Sequence, residues 1–174
     1  MITGKNDFSI WTLTPDLNLL KLNRSFQRYI THKIVWFGGV EGHKISSINW
    51  FLNKILPELK NQIPNLEFHL FGRNTEMFKD TAKHIFSHGE YHGADMPMKD
   101  VALYINPDIL GGGIKVKIQS FLNNGVTFIS SPFGFEGYNK ALIDNDYCYV
   151  IEDIRWVEAI LGILAKQTSF IDNH

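Results

Sequence analysis

The stretch Asn106-Pro107-Asp108-Ile109-Leu110-Gly111-Gly112-Gly113-Ile114-Lys115-Val116-Lys117-Ile118-Gln119-Ser120-Phe121-Leu122 puts three consecutive glycines between the apolar run Val101-Ala102-Leu103-Tyr104-Ile105 and an amphipathic segment bearing two lysines. With no Cβ in the turn, backbone N–H groups can approach a ligand closely. The helix that follows aims its free N–H groups and positive dipole end at the same spot. Strand, glycine turn and helix in this order describe a phosphate site at the edge of an α/β sheet. A plain tight turn at a strand end is the other reading that a glycine run permits.

Outward from this turn, strand-like runs alternate with helix-period segments from Lys33 onward, the pattern of a parallel α/β sheet with helices on both faces. Upstream, Ile34-Val35-Trp36-Phe37 ends at Gly38-Gly39. Ile45, Ile48, Leu52, Ile55 and Leu59 then recur at three- and four-residue steps that share one helical face. Pro57 interrupts that helix, bending it or restarting its last turn. A second strand over Leu66 to Phe71 ends at Gly72-Arg73, and a shorter helix is expected from Glu76 to Lys83. Ile85 to Gly93 holds one weak strand among histidine-bearing turns. Downstream, Ile114, Ile118, Phe121 and Leu122 mark the buried face of the helix that the glycines open, and Asn123-Asn124-Gly125 ends it. Val126 to Ile129 is a short buried strand, followed by the turn-rich loop Ser130 to Tyr138. A last strand, Tyr147 to Ile151, precedes a helix with Ile154, Val157, Ile160, Leu161 and Leu164 facing inward. Residues 1–32 have a different texture, an N-terminal extension with an edge strand over Phe8 to Leu13 and a helix over Leu17 to Ile30. Residues 33–174 form the sheet domain.

Composition narrows the function classes. A chain of 174 residues, 44% hydrophobic and 20% charged, is long enough to bury a core in one domain. Its formal net charge of -1, with no strong basic run, offers no electrostatic footprint for nucleic acid. The single cysteine, Cys148, lies in an apolar run and reads as core, so a reducing, cytoplasmic setting is expected. No apolar stretch approaches the roughly 20 residues of a membrane span. His84, His88 and His92 are spaced by four, the spacing that aligns metal ligands on a helix. Ser87, Gly89 and Gly93 argue against a helix there, and no metal is expected.

Strand, Gly-Gly-Gly, a helix with two basic residues, a buried strand and then Ser131-Pro132-Phe133-Gly134-Phe135-Glu136-Gly137 occur in an order that resembles a known family. This is the C-terminal, donor-binding domain of retaining GT-B glycosyltransferases, the glycosyl transferases group 1 that includes capsule and exopolysaccharide enzymes. The family pattern reads P-x-x-x-G-G-G-T-R-x-K-x-L-E-A-M-A-x-G-x-P-V-V-S-T-x-x-G-x-E-G. The resemblance spans about Lys33 to Lys166 and is most specific over Asn106 to Tyr138. Trp36-Phe37-Gly38-Gly39, Trp50-Phe51-Leu52 with Leu56-Pro57, and Gly72-Arg73 lend it lesser support.

The resemblance implies a Rossmann-like nucleotide-sugar-binding domain, one half of a GT-B fold. It implies a UDP- or GDP-linked sugar as substrate, no separate cofactor, no nucleic acid, and no protein-bound metal. It further implies a cleft completed by an N-terminal acceptor domain or partner subunit, with peripheral membrane association through the full enzyme. Gly38, Gly39, Gly111, Gly112, Gly113 and the amide of Ile114 would lie along the donor, the last three capping its diphosphate. Lys115 and Lys117 match the family's Arg and Lys and would neutralise phosphate charge. Residues two apart on a helix point about 200° apart, so only one of them is expected to face the phosphates directly, with Lys117 favoured. Arg73 sits where relatives place a basic residue toward the cleft, and its planar fork suits phosphate. Glu136 belongs to a loop that faces the donor sugar in relatives. Base recognition would fall on backbone near Tyr91 to Asp95. Ser120 replaces the glutamate that relatives use for ribose, which forfeits a charge-assisted bond. No catalytic residue is assigned by the resemblance. The alternative function is a catalytically degenerate donor-domain binding or partner module, and a more distant one is half of a nucleotide-sugar epimerase.

Overall fold

Ile34 and Trp36 point to one face of an extended chain, Val35 and Phe37 to the other, and a strand that is apolar on both faces needs cover on both. In the computed structural model of the chain, which describes residues 31–93, 96–111, 115–143 and 147–169, it has that cover. Strands β1 (Lys33–Phe37), β2 (Glu67–Phe71), β3 (Ile85–Ser87), β4 (Leu103–Asn106), β5 (Phe128–Ser130) and β6 (Cys148–Val150) form a six-stranded sheet in the order β3-β2-β1-β4-β5-β6. Every neighbouring pair is parallel. The sequence expectation of a Rossmann-like parallel sheet with helices on both faces therefore holds.

On one face, Ile34, Trp36, Leu70, Leu103 and Ile129 pack into a core with α1 (His43–Trp50), α2 (Leu56–Gln62) and α4 (Trp156–Ser169). Trp50 and Trp156 meet edge to face at 5.3 Å between ring centroids. On the other face Val35, Tyr104 and Phe128 pack against Ile118, Phe121 and Leu122 of α3 (Val116–Asn124). Gly125, at φ 60°, ends α3 in the left-handed region, as Asn123-Asn124-Gly125 suggests.

Between α1 and α2, Phe51–Ile55 winds as a π-helix. Pro57 at the start of α2 explains it: the residue has no N–H and its ring crowds the carbonyl four residues earlier, so the ladder widens ahead of it and restarts. Two sequence expectations need correction. Glu76 to Lys83 is no α-helix but two 3₁₀ turns, Thr75–Phe78 and Thr81–Lys83, because Asp80 caps the second through Lys83 N–H while Asn74 and His84 take left-handed conformations. Ile154 does not face inward: it is 86% exposed in the turn Asp153–Arg155, and Trp156 takes the buried position. Phe8 to Leu13 and Leu17 to Ile30 lie outside the described residues. Cys148 is buried, as read.

Two polar devices hold the sheet near its C-terminal edge. Asn106 and Ser130, paired across β4 and β5, are fully buried. Asn106 Nδ2 donates to Ser130 Oγ and to the Gly134 carbonyl, each at 3.2 Å. Ser131 Oγ donates to the Asp108 carbonyl and accepts from Gly134 N–H at 2.8 Å. This network ties both strand ends and the following loop together, and so fixes the backbone at Asp108. On the opposite edge, Glu67 Oε2, His69 and His88 form a hydrogen-bonded chain with links of 3.0 and 2.9 Å. Burial holds the His69 imidazole below its ordinary range, against the upward pull of Glu67. His84 and His92 are not part of that chain.

A Cβ on residue 134 would lie 2.6 Å from Ser130 Oγ and closer still to Asn106 Nδ2. Gly134→Ala should therefore lower stability by about 1–3 kcal/mol, read as a shift in urea midpoint at constant slope. His69 is neutral in the fold and titrates normally when unfolded. Its contribution is present above about pH 6.5 and lost as pH falls below that. Urea titrations from pH 7.5 to 5 should show this loss, and His69→Gln should flatten it.

Candidate functional site

The strand order runs outward in opposite directions from the central pair β1 and β4, so the loops leaving those strands diverge and open a crevice at their C-terminal ends. Gly38 follows β1, Asp108 follows β4, and the N-termini of α1 and α3 open onto the same crevice. The cleft so formed has a volume of about 450 Å³, walled among others by Gly38, His43, Lys44, Asp108, Lys115 and Lys117. Two helix N-termini and three lysines give it a positive character.

Lys117 lies at its centre. Its side chain is 10% exposed, and its Nζ stands 4.7 Å from the centroid of the Trp36 ring and 3.8 Å from Asp108 Oδ2. That distance makes an ion pair but not a hydrogen bond, and Nζ has no hydrogen-bond partner. Asp108 is buried to 1% exposure, and its second carboxylate oxygen, Oδ1, also lacks a partner. Burial pushes the Lys117 ammonium down to about 8; Asp108 pulls it up, while Lys44 and Lys115 push it down further. A buried ammonium with three donors and no hydrogen-bond partner, in the wall of a cleft, is primed for an anion.

Lys115 borders the same cleft, with Nζ 4.8 Å from the centroid of the Phe133 ring. Both lysines therefore border one cleft. The helical 200° offset does not apply, because Lys115 is the N-cap residue with extended backbone at φ -82° and ψ 97°. Ser120 lines the cleft one turn further along, its Oγ 3.5 Å from the Val116 carbonyl. Gly111, at φ 120°, packs so tightly that a Cβ would come within 2.6 Å of His43 Nε2. Gly112, Gly113 and Ile114 lie outside the described residues.

A second cleft of about 220 Å³ adjoins the first, sharing Phe37 and Gly38 and adding Gly39, Phe71, Arg73 and Tyr91. Its wall exists because Gly72, at φ 129°, sits directly on the Gly38 carbonyl, where a Cβ would overlap it. The loops of β1 and β2 stay hydrogen-bonded past the strands, Gly38 N–H to Phe71 carbonyl and Val40 N–H to Arg73 carbonyl, both at 2.9 Å. Arg73 is exposed at the rim and ion-paired to Glu41. Phe71 stacks on His88 at 4.2 Å between centroids. Glu136 is not brought to either cleft. It borders a separate hollow of about 500 Å³ with Phe133, Tyr138 and Lys140.

The structure thus joins Gly38, Lys115, Lys117 and Ser120 in one cleft and Gly38, Gly39 and Arg73 in the next. Sequence reading missed His43, Lys44 and Asp108. A carboxylate directly after Pro107 was the visible signal for Asp108, and a lysine at the start of the helix after Gly38-Gly39 was the signal for Lys44. Among the described residues no group of three histidines, cysteines or carboxylates is placed to hold a metal.

No family model matches the chain. No curated protein matches it. Among solved structures the chain is similar to S. aureus TarM, a mutant form solved in complex with fondaparinux, α-GlcNAc-glycerol and UDP. The TM-score is 0.56 at 15% identity, over 83% of this chain and 30% of the TarM chain. The chain thus spans under a third of the length of that protein. At this identity the likeness establishes the fold alone, a Rossmann-like parallel α/β sheet.

Proposed function

We propose that this chain is the nucleotide-sugar donor-binding domain of a retaining glycosyltransferase, the sugar passing to a polysaccharide or lipid-linked acceptor held by a further domain or partner. The observation that carries the proposal is Lys117, a buried cation with no hydrogen-bond partner, in a cleft at the point where the strand order reverses. A diphosphate of charge near -3 would satisfy Lys117, Lys115 and Lys44 together, and the N-termini of α1 and α3 would add their dipoles. The adjoining cleft, with the rings of Phe71 and Tyr91 beside the charged groups of Arg73 and Glu90, offers a mixed aromatic and polar lining suited to a nucleoside. Its continuity with the first through Gly38 lets one ligand occupy both.

In that arrangement the lysines stabilise charge that grows on the leaving diphosphate as the glycosidic bond to the sugar breaks, the kind of preorganised electrostatic help worth several kcal/mol in acyl and phosphoryl transfer. Such a domain binds and activates the donor, and acceptor selection belongs elsewhere. The second reading, a donor-binding module without transfer, is favoured by Ser120, whose hydroxyl offers a ribose only a neutral hydrogen bond. The two readings part on turnover. Transfer predicts release of nucleoside diphosphate from a bound sugar nucleotide once acceptor and the full-length protein are supplied.

Isothermal titration with UDP and GDP should give binding to the wild-type chain, and Lys117→Met should weaken it by at least about tenfold. Arg73→Ala, at an exposed rim, should cost about threefold or less. If neither nucleotide binds, the donor-site proposal fails. A bound phosphate raises the Lys117 pKa above its free value of about 8. Affinity should therefore be flat below pH 8 and fall above it, by up to about tenfold per pH unit, and the slope should vanish in Lys117→Met.

A further inference from the structure

The diphosphate reading leaves one group in the cleft unexplained. Asp108 is a carboxylate 1% exposed, in a wall of the cleft, with Oδ1 making no hydrogen bond and Oδ2 only the 3.8 Å contact to Lys117. Its backbone is not free to turn away, because Ser131 Oγ holds its carbonyl and the buried Asn106–Ser130 network anchors the strand ends on either side. An ionised carboxylate accepts hydrogen bonds and donates none, and leaving a buried one unmet costs free energy. A phosphate at neutral pH is likewise all acceptor, so the two repel and phosphate cannot be the missing partner. A donor that reaches the cleft together with phosphate, and close to it, would meet this need, since Asp108 lies beside Lys117.

Resting on the donor-site reading, we propose that Asp108 is a specificity-determining residue that accepts a hydrogen bond from a hydroxyl of the donor's sugar, while Lys117 holds the adjoining phosphate. The ion pair lets one ligand be read at both ends: an anion draws on the Lys117 ammonium, and a polyol attached to it satisfies Asp108 Oδ1. A free nucleoside diphosphate finds only the first and meets the Asp108 charge as a penalty. The sugar-bearing ligand finds both. His43, Lys44, Lys115 and Ser120, the other polar side chains around this cleft, supply donors for oxygen atoms but no second carboxylate.

The test compares ratios rather than single affinities. UDP and a panel of UDP-hexoses are titrated into wild type, Asp108→Asn and Asp108→Ala in buffer with EDTA, so that no divalent cation can bridge Asp108 to phosphate. In Asp108→Ala, titrated at about pH 6 so that Lys117 keeps its proton without the pull of Asp108, UDP should bind about as well as to wild type. The Kd of the best UDP-hexose relative to that of UDP should rise by about tenfold, with a smaller rise in Asp108→Asn. UDP binding itself certifies that a variant is folded. If Asp108→Ala does not fold, UDP-deoxyhexoses on wild type and Asp108→Asn give the same reading. One deoxy position should cost wild type about tenfold and the Asn variant clearly less, the signature of a coupled pair. Equal factors for UDP and UDP-hexose, an unchanged ratio, or an effect that appears only with Mg²⁺ present would overturn the assignment. If no UDP, UDP-hexose, GDP or GDP-sugar binds wild type, the donor-site reading itself has failed instead.

Discussion

The parallel pairing of β1 with β4 is the constraint from which the rest follows. Parallel neighbours cannot be joined by a tight turn, so the chain must leave β1, build α1, α2, β2 and β3 to one side, and return to place β4 on the other. The two loops that leave this central pair are driven apart by that topology. The position of the cleft is therefore a property of strand order, and the side chains determine only what it holds.

What it holds is costly. Burying an ammonium beside one carboxylate at 3.8 Å, with no hydrogen bond between them, leaves both groups poorly solvated. The sheet core bears that cost: two apolar layers, one under α1, α2 and α4 and one under α3, are built from the two-sided strands and the helix faces that cover them. The Asn106–Ser130–Ser131 network contributes position rather than bulk stability. Its hydrogen bonds replace ones the groups would make with water, but they confine Asp108 to a single backbone path.

Most of the sheet was legible because its strands are buried on both faces and read as unbroken apolar runs, Ile34 to Phe37 and Leu103 to Ile105 above all. The helix through Pro57 was legible too, though not its π-helical detour, which depends on how the ring meets a carbonyl in the turn before. Glu76 to Lys83 misled because its charged and apolar residues have helical composition while Asp80 offers a stronger local cap. Ile154 misled because period alone cannot tell the last residue of a turn from the first of a helix. In the site, Lys117 was legible from its place after the glycines. Asp108 was not, because its burial arises from Ser131 and Lys117, residues brought to it only by the fold.

The strand order also divides the chain at that cleft. β1, β2 and β3 with α1 and α2 pair among themselves through short connections, as do β4, β5 and β6 with α3, and β1 against β4 is the seam between the two sets. Gly38 belongs to the first set, Asp108 and Lys117 to the second. Any solute gripped between them touches only the docked seam and finds no such grip on either set alone. Its binding free energy is then added to the cohesion of the seam by mass action, RT ln(1 + [L]/Kd). Occupancy of the cleft and cooperativity of the whole sheet become one linked equilibrium, with the ligand serving as a clamp across that seam.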